Sequence, residues 1–219
     1  MTCCNGSCAA AAHFNPKKAE EDLQRYQRYG PDPSTRMLLG ELRRWPLEGQ
    51  RLLDVGGGIG VIAVELSGAG LASVTLADAS AGYLEAARRH LVSSGASRGG
   101  SRSAQFFLGD IATTADSLPE ADIVTLDRVV CCYPDVEGLL QGAAGCARRM
   151  VAFTYPLDVW YVRAGVVVEN LWYRLRRDPF RAFVHSRERM GSVLESAGFV
   201  RAARRRASLQ WALDLYRRR

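Results

Sequence analysis

The residues of this chain best suited to chemistry sit at the ends of short apolar runs. Leu52-Leu53-Asp54-Val55-Gly56-Gly57-Gly58-Ile59-Gly60 is an apolar run that enters a glycine-rich turn and then opens a helical pattern. Without a Cβ, such a turn can bend sharply and approach a ligand with its backbone N–H groups. Asp54 stands two positions before the first glycine, and the spacing is the compact G-x-G-x-G rather than the G-x-G-x-x-G of dinucleotide sites. A second apolar run leads to Asp78 and Ala79, where a carboxylate is placed to accept from the two hydroxyls of a ribose. A third ends in Gly109-Asp110-Ile111, whose acid can accept from an exocyclic amine, and a fourth ends in Asp127-Arg128.

The elements that must carry these groups alternate. Strand-length runs are read at 51–55, 73–77, 104–108, 123–126 and 150–154, and helices at 61–67, 80–93 and 136–148. This order predicts an α/β fold, a parallel sheet with helices on both faces, and open sheets of that kind bind ligands at the carboxyl ends of their strands. All four acidic positions fall there. Two helices precede the first strand, one from Pro16 to Gly30 and one from an N-capping Ser34 to Trp45. Beyond Pro156 come a long helix over 159–177 and another over 187–197 with Gly198 at C′. Two extended segments follow, 199–206 and 209–216, the second alternating Leu209, Trp211, Leu213 and Leu215. The expected divisions are a tail (1–15), a helical cap (16–49) and one domain (50–219) with a helical insertion at about 157–185.

With 219 residues, 47% hydrophobic and 24% charged, the chain has the composition of one globular domain. The net charge is +6, but all of the 29 basic residues except Lys17 and Lys18 are arginine, which reads as arginine usage rather than a nucleic-acid footprint. No apolar run approaches membrane-spanning length, and the first residues lack the pattern of a secretory leader, so a cytoplasmic protein is expected.

The glycine loop and its three further acids resemble the class I S-adenosylmethionine-dependent methyltransferases over about residues 50–156 plus the terminal hairpin. The resemblance implies a Rossmann-like, seven-stranded, mostly parallel sheet with an antiparallel C-terminal hairpin. It implies S-adenosylmethionine as cofactor, released as S-adenosylhomocysteine. Asp54 and Gly56, Gly57, Gly58 and Gly60 would lie against its methionine part, Asp78 and Ala79 at the ribose, and Gly109, Asp110 and Ile111 at the adenine, with Asp127 and Arg128 closing the site.

Tyr26-Gln27-Arg28-Tyr29-Gly30, Cys132-Tyr133-Pro134, Phe153-Thr154-Tyr155-Pro156 and His185-Ser186 narrow the resemblance to magnesium-protoporphyrin IX O-methyltransferases and their relatives. In that family a tyrosine near the end of the N-terminal helix and a histidine just before Tyr-Pro are implicated in catalysis. Tyr29 matches the first, and Cys132 stands in place of the second. Tyr29, Cys132, Tyr133 and Tyr155 are the candidate catalytic residues, with His185 a surface or capping histidine. The acceptor is expected to be a small molecule such as a porphyrin propionate. The face formed by Trp160, Val167, Trp172 and Leu175 is expected to cover it, and Arg174, Arg176, Arg177 or Arg181 to pair its carboxylates. The motif Asp127-Arg128-Val129-Val130 is not the Asn/Asp-Pro-Pro-aromatic of nucleic-acid amino-methyltransferases.

Cys3, Cys4, Cys8 and His13 form CC-x3-C-x4-H, whose spacing is atypical of zinc sites, so no metal is expected. With Cys131 and Cys132 these thiols leave a rival reading, a thiol-assisted arsenite methyltransferase. A protein that binds the cofactor without turnover is a third. A monomer or homodimer is expected.

Overall fold

A computed structural model describes residues 12–96 and 104–219. Cys3, Cys4 and Cys8 lie outside the described residues, as does most of the Gly/Ser loop read at 94–103.

Among the described residues, seven strands form one sheet in the order β3-β2-β1-β4-β5-β7-β6: β1 (Arg51–Val55), β2 (Ser73–Asp78), β3 (Ala104–Leu108), β4 (Ala121–Leu126), β5 (Ala147–Pro156), β6 (Phe199–Arg206) and β7 (Trp211–Arg218). The first five run parallel, and β7 inserts antiparallel between β5 and β6. The sheet is Rossmann-like with an antiparallel C-terminal pair, as the resemblance implies. Among the described residues it is accompanied by the α-helices α1 (Pro16–Tyr29), α2 (Pro33–Leu42), α3 (Val61–Glu65), α4 (Ala81–Ser93), α5 (Ile111–Thr114), α6 (Val136–Cys146), α7 (Trp160–Leu175) and α8 (Arg187–Ser196). None is long and apolar enough to cross a membrane, among the described residues.

Successive strand residues point to opposite faces, so a sheet covered on both sides needs apolar residues in unbroken runs. Leu53, Val124 and Val151 join the core under α6 and α8, while Leu52, Ile123 and Ala152 join the one under α2, α3 and α4. The same geometry corrects the reading of the last strand. Because β7 is interior to the sheet, Ala212 and Tyr216 are buried on one face and Leu213 and Leu215 on the other. Leu209 is not in the strand; it is exposed in a turn where Ser208 Oγ accepts from the Gln210 and Trp211 N–H groups.

Several boundaries also move. The helix read to 148 stops at Cys146, since Ala147 already pairs with Ala121 in the sheet. Ser34 is not the cap of α2. Asp32 occupies the N-cap position, Pro33 the first turn, and Ser34 is buried inside the helix, which ends at Leu42.

Gly60 closes the glycine turn with φ +77 at the head of α3, and a Cβ there would lie 2.8 Å from Leu91 Cδ1. Gly60→Ala combines a left-handed backbone with overpacking. It is expected to cost about 1–3 kcal/mol, read as a lower urea midpoint at unchanged m. An unchanged midpoint would show that this turn relaxes freely.

Candidate active site

The carboxyl ends of β1, β2, β3 and β4 open into one cavity of about 470 Å³, whose wall includes Asp54, Asp78, Asp110 and Asp127. Parallel strands deliver their ends to the same edge, which is why four acids far apart in sequence meet here.

Each acid is held differently. Asp54 is buried, with Thr125 of the neighbouring strand, its register partner, donating from Oγ1 to Oδ1 at 2.7 Å. Burial pushes its carboxyl up to about 7, against the Thr125 hydrogen bond and with the charges of Asp127 and Asp78 adding. Asp78 accepts from the Gly58 N–H at 3.0 Å and the Ser80 N–H at 2.8 Å, which ties the second strand end to the glycine turn. Asp110 caps α5 through the Ala112 N–H at 3.1 Å and accepts from the Tyr133 hydroxyl at 2.7 Å. Asp127 receives Thr35 Oγ1 at 2.5 Å and Thr154 Oγ1 at 2.6 Å, and burial raises its carboxyl as well. Arg128 adopts φ 61, donates its N–H to Thr154 Oγ1 at 2.8 Å, pairs with Asp32, and lays its guanidinium over Trp211.

The glycine turn is shaped for close approach. Gly56 and Gly58 both have positive φ, at +60 and +54, and a Cβ on Gly56 would meet Val129 at 2.5 Å. Gly57, Ala79, Gly109 and Ile111 also line the cavity. Gly60 does not; it packs on Leu91 and Leu76, so its requirement for glycine is a matter of folding.

Of the four candidate catalytic residues, two reach the cavity and two do not. Cys132 and Tyr133 are at its wall. The Cys131 and Cys132 sulfurs lie 3.7 Å apart, and the Cys131 contact together with burial pushes the Cys132 thiol well up, which disfavours a thiolate. The Tyr133 phenol is raised by burial and by its bond to Asp110. Tyr29 is 70% exposed and away from the cavity. It ends α1, whose inward face is set by Ala19, Leu23 and Tyr26 at i, i+4 and i+7. The tyrosine of α1 at the wall is Tyr26, its hydroxyl donating to Glu65 at 3.0 Å and its phenol pushed up to about 12 by burial. Tyr155 belongs to the core beside Phe153, because it sits in β5 with both faces covered. His185 lies behind the wall, its Nε2 2.9 Å from the Tyr133 carbonyl, and burial lowers its pKa, so the neutral ring steadies that loop.

The orientation of α7 reverses the expectation. Val166, Glu169 and Tyr173, at helical spacing, face the cavity, whereas Trp160, Val167, Trp172 and Leu175 lie exposed on the other side. Arg174, Arg176, Arg177 and Arg181 are not at the wall; its basic residues are Lys18, Arg25 and Arg128.

The sequence reading missed two sets of residues. Thr35, Thr125 and Thr154 satisfy the buried acids, yet a hydroxyl within an apolar run gives no signal until strand register is known. His13 enters the sequence pattern only as a metal ligand. Its Nδ1 lies 2.7 Å from Asp178, its ring stacks on Phe180 at 4.4 Å, and Phe14 beside it accepts from Ser80 Oγ through its carbonyl. No group of three or more His, Cys, Asp or Glu suited to a metal occurs among the described residues.

Residues 52–150 match the family described as "Methyltransferase domain". No curated protein matches significantly. Among solved structures, magnesium protoporphyrin IX methyltransferase from Synechocystis PCC 6803 with bound SAM is 17% identical, with full coverage of both chains and a TM-score of 0.74. A structure of the same protein with bound SAH gives 17% identity, 98% and 100% coverage, and 0.72. A putative sarcosine dimethylglycine methyltransferase from Galdieria sulphuraria is 14% identical over 83% of this chain and 84% of that one, with a TM-score of 0.62. At these identities the likeness establishes the fold.

Proposed function

For a chain with a methyltransferase-domain match at 52–150 and the class I methyltransferase fold, we propose S-adenosylmethionine-dependent methyl transfer to a carboxylate oxygen of a small-molecule acceptor. The observation that carries the cofactor assignment is the junction of Asp78 with the Gly58 N–H, which sets a ribose acceptor beside a turn that side chains would fill. When bound, the cofactor supplies an electrophilic methyl group on a sulfonium. Asp78 would hold the ribose hydroxyls, Asp110 with Tyr133 the adenine edge, and Asp54 with the Gly56–Gly58 turn the charged methionine end.

The thiol, phenol and imidazole at the wall support an acceptor that needs no base. Cys132 and Tyr133 hold their protons, His13 is engaged by Asp178, and Glu169 accepts from the Tyr173 hydroxyl at 2.6 Å. A carboxylate is already ionised near pH 7 and needs no base, only orientation in a dry site. Lys18, with Arg25 and Arg128 once drawn from their ion pairs with Asp32, would supply the positive charge to orient it. A porphyrin propionate meets this description, and a solved structure that matches this chain over its full length is of a magnesium protoporphyrin IX methyltransferase. α7 and the segment from His13 would close over the bound molecules. The raised thiol of Cys132 argues against metalloid chemistry.

The test is transfer of radiolabelled methyl to a panel comprising magnesium protoporphyrin IX, simple aryl carboxylates, phenols and arsenite. A base-labile methyl ester is expected, with turnover kept within about threefold in Cys132→Ala. Arsenite-dependent turnover lost in that variant would replace this reading. Tight cofactor binding without transfer to any acceptor would favour a binding role.

A further inference from the structure

Methyl transfer leaves the outward face of α7 without a role. Trp160 is 79% exposed, Leu175 72%, Val168 68% and Trp172 52%, with Val167 and Leu171 also exposed. At about 100° per residue these six fall within an arc of about 140°, opposite the arc that lines the cavity. The exposed Leu209 lies in a neighbouring turn, its carbonyl accepting from the Tyr161 hydroxyl at 2.7 Å. Scattered exposed leucines are ordinary; a contiguous stripe with a tryptophan near each end is not.

The charges around the stripe have one sign. The Arg176 guanidinium lies 4.2 Å from the Trp172 ring centroid, helical phase sets Arg174 at the other edge of the stripe, and exposed Arg177 follows at the end of the helix, Arg174 and Arg177 having no acidic partner among the described residues. The acids of this segment are committed elsewhere: Asp158 to Arg163 at 2.5 Å, Glu169 toward the cavity, and Asp178 to His13. In a second copy packed parallel across a twofold axis the two arginine rims would meet, and packed antiparallel each rim would face the other's N-terminal end, where Asp158 is already paired with Arg163. Anionic lipid headgroups are complementary instead. An apolar stripe with tryptophans and a basic rim is the pattern of a helix lying in a membrane interface.

We propose that the outward face of α7 docks on an anionic lipid surface. Trp160 and Trp172, about 18 Å apart along the helix axis, anchor it at the headgroup boundary, and Arg174, Arg176 and Arg177 meet the lipid phosphates. Because the opposite face of α7 lines the cavity, a docked helix would sit between the lipid and the site.

Sedimentation with phosphatidylcholine vesicles, with and without 30% phosphatidylglycerol, tests this. Partitioning at least tenfold stronger to the anionic vesicles is expected, with a blue shift of tryptophan emission and weakening by added salt. Trp160→Ser with Trp172→Ser, and separately Arg174→Gln with Arg176→Gln and Arg177→Gln, are each expected to lower partitioning at least tenfold. Thermal midpoint and S-adenosylhomocysteine affinity should stay unchanged, since the side chains are exposed. No partitioning, or partitioning that neither set of changes weakens, overturns the proposal. So does a dimer in sedimentation equilibrium that Trp160→Ser with Trp172→Ser dissociates while vesicles are ignored.

Discussion

Asp78→Asn is expected to weaken S-adenosylhomocysteine binding by about 100- to 1,000-fold while leaving the chain folded. The carboxylate accepts from Gly58 at 3.0 Å and Ser80 at 2.8 Å, leaving lone pairs for two ribose hydroxyls. The amide offers one acceptor oxygen instead of two, and its NH₂ group must face either a backbone N–H or a ribose hydroxyl. Hydrogen bonds to a charged acceptor contribute about 1.5–3 kcal/mol each; losing one outright and weakening the other to a neutral-acceptor bond costs about 3–4 kcal/mol together, which gives the stated range. In the free protein one backbone N–H loses its partner at a half-buried site, a smaller loss of about 1 kcal/mol that appears as a few degrees in Tm. Titration calorimetry of both proteins separates the two effects. A variant that binds within threefold of the parent would remove Asp78 from the ribose position, and a parent that does not bind would remove the cofactor itself.

The strand ends were legible because two independent signals coincide at each: an apolar run of strand length and an acid or glycine that no core requires. Asp54, Asp78, Asp110 and Asp127 all reach the cavity for this reason. The tyrosines were not legible, because an aromatic in a motif looks the same whether it faces a ligand or a core. Tyr133 and Tyr155 each precede a proline, yet the first follows a strand end, while the second lies within β5 with both faces covered. Helix phase decided α7 in a similar way. Its apolar residues suggest a covering face on the premise that apolar residues turn inward. Here the wall also uses Glu169 and Tyr173, and the tryptophans are left outside. Contacts distant in sequence, such as His13 with Asp178, carry no local signal at all.

Asp54→Asn is expected to stabilise the ligand-free protein at pH 8 and to leave it unchanged at pH 4. Burial places the Asp54 carboxyl at about 7, against 3.8 when solvated. Between those values the folded protein keeps a proton that the unfolded chain has released. Stability therefore falls as pH rises through the window, and the whole cost is present above it. Three pKa units correspond to about 4 kcal/mol at most, since each is worth about 1.4 kcal/mol. The amide oxygen of asparagine can still accept from Thr125 Oγ1, so the variant keeps that hydrogen bond and loses only the titration. The gain in stability should coincide with a loss of function. A carboxyl poised near 7 is ready to ionise opposite the ammonium or sulfonium of a bound cofactor, so binding at pH 6 should release a proton, which the neutral amide cannot do. Urea unfolding at pH 4 and pH 8 and calorimetry in buffers of different ionisation enthalpy measure both halves. Parallel pH profiles for the two proteins, with no proton released on binding, would show that Asp54 is ionised throughout and that the acids at the strand ends share their charge differently.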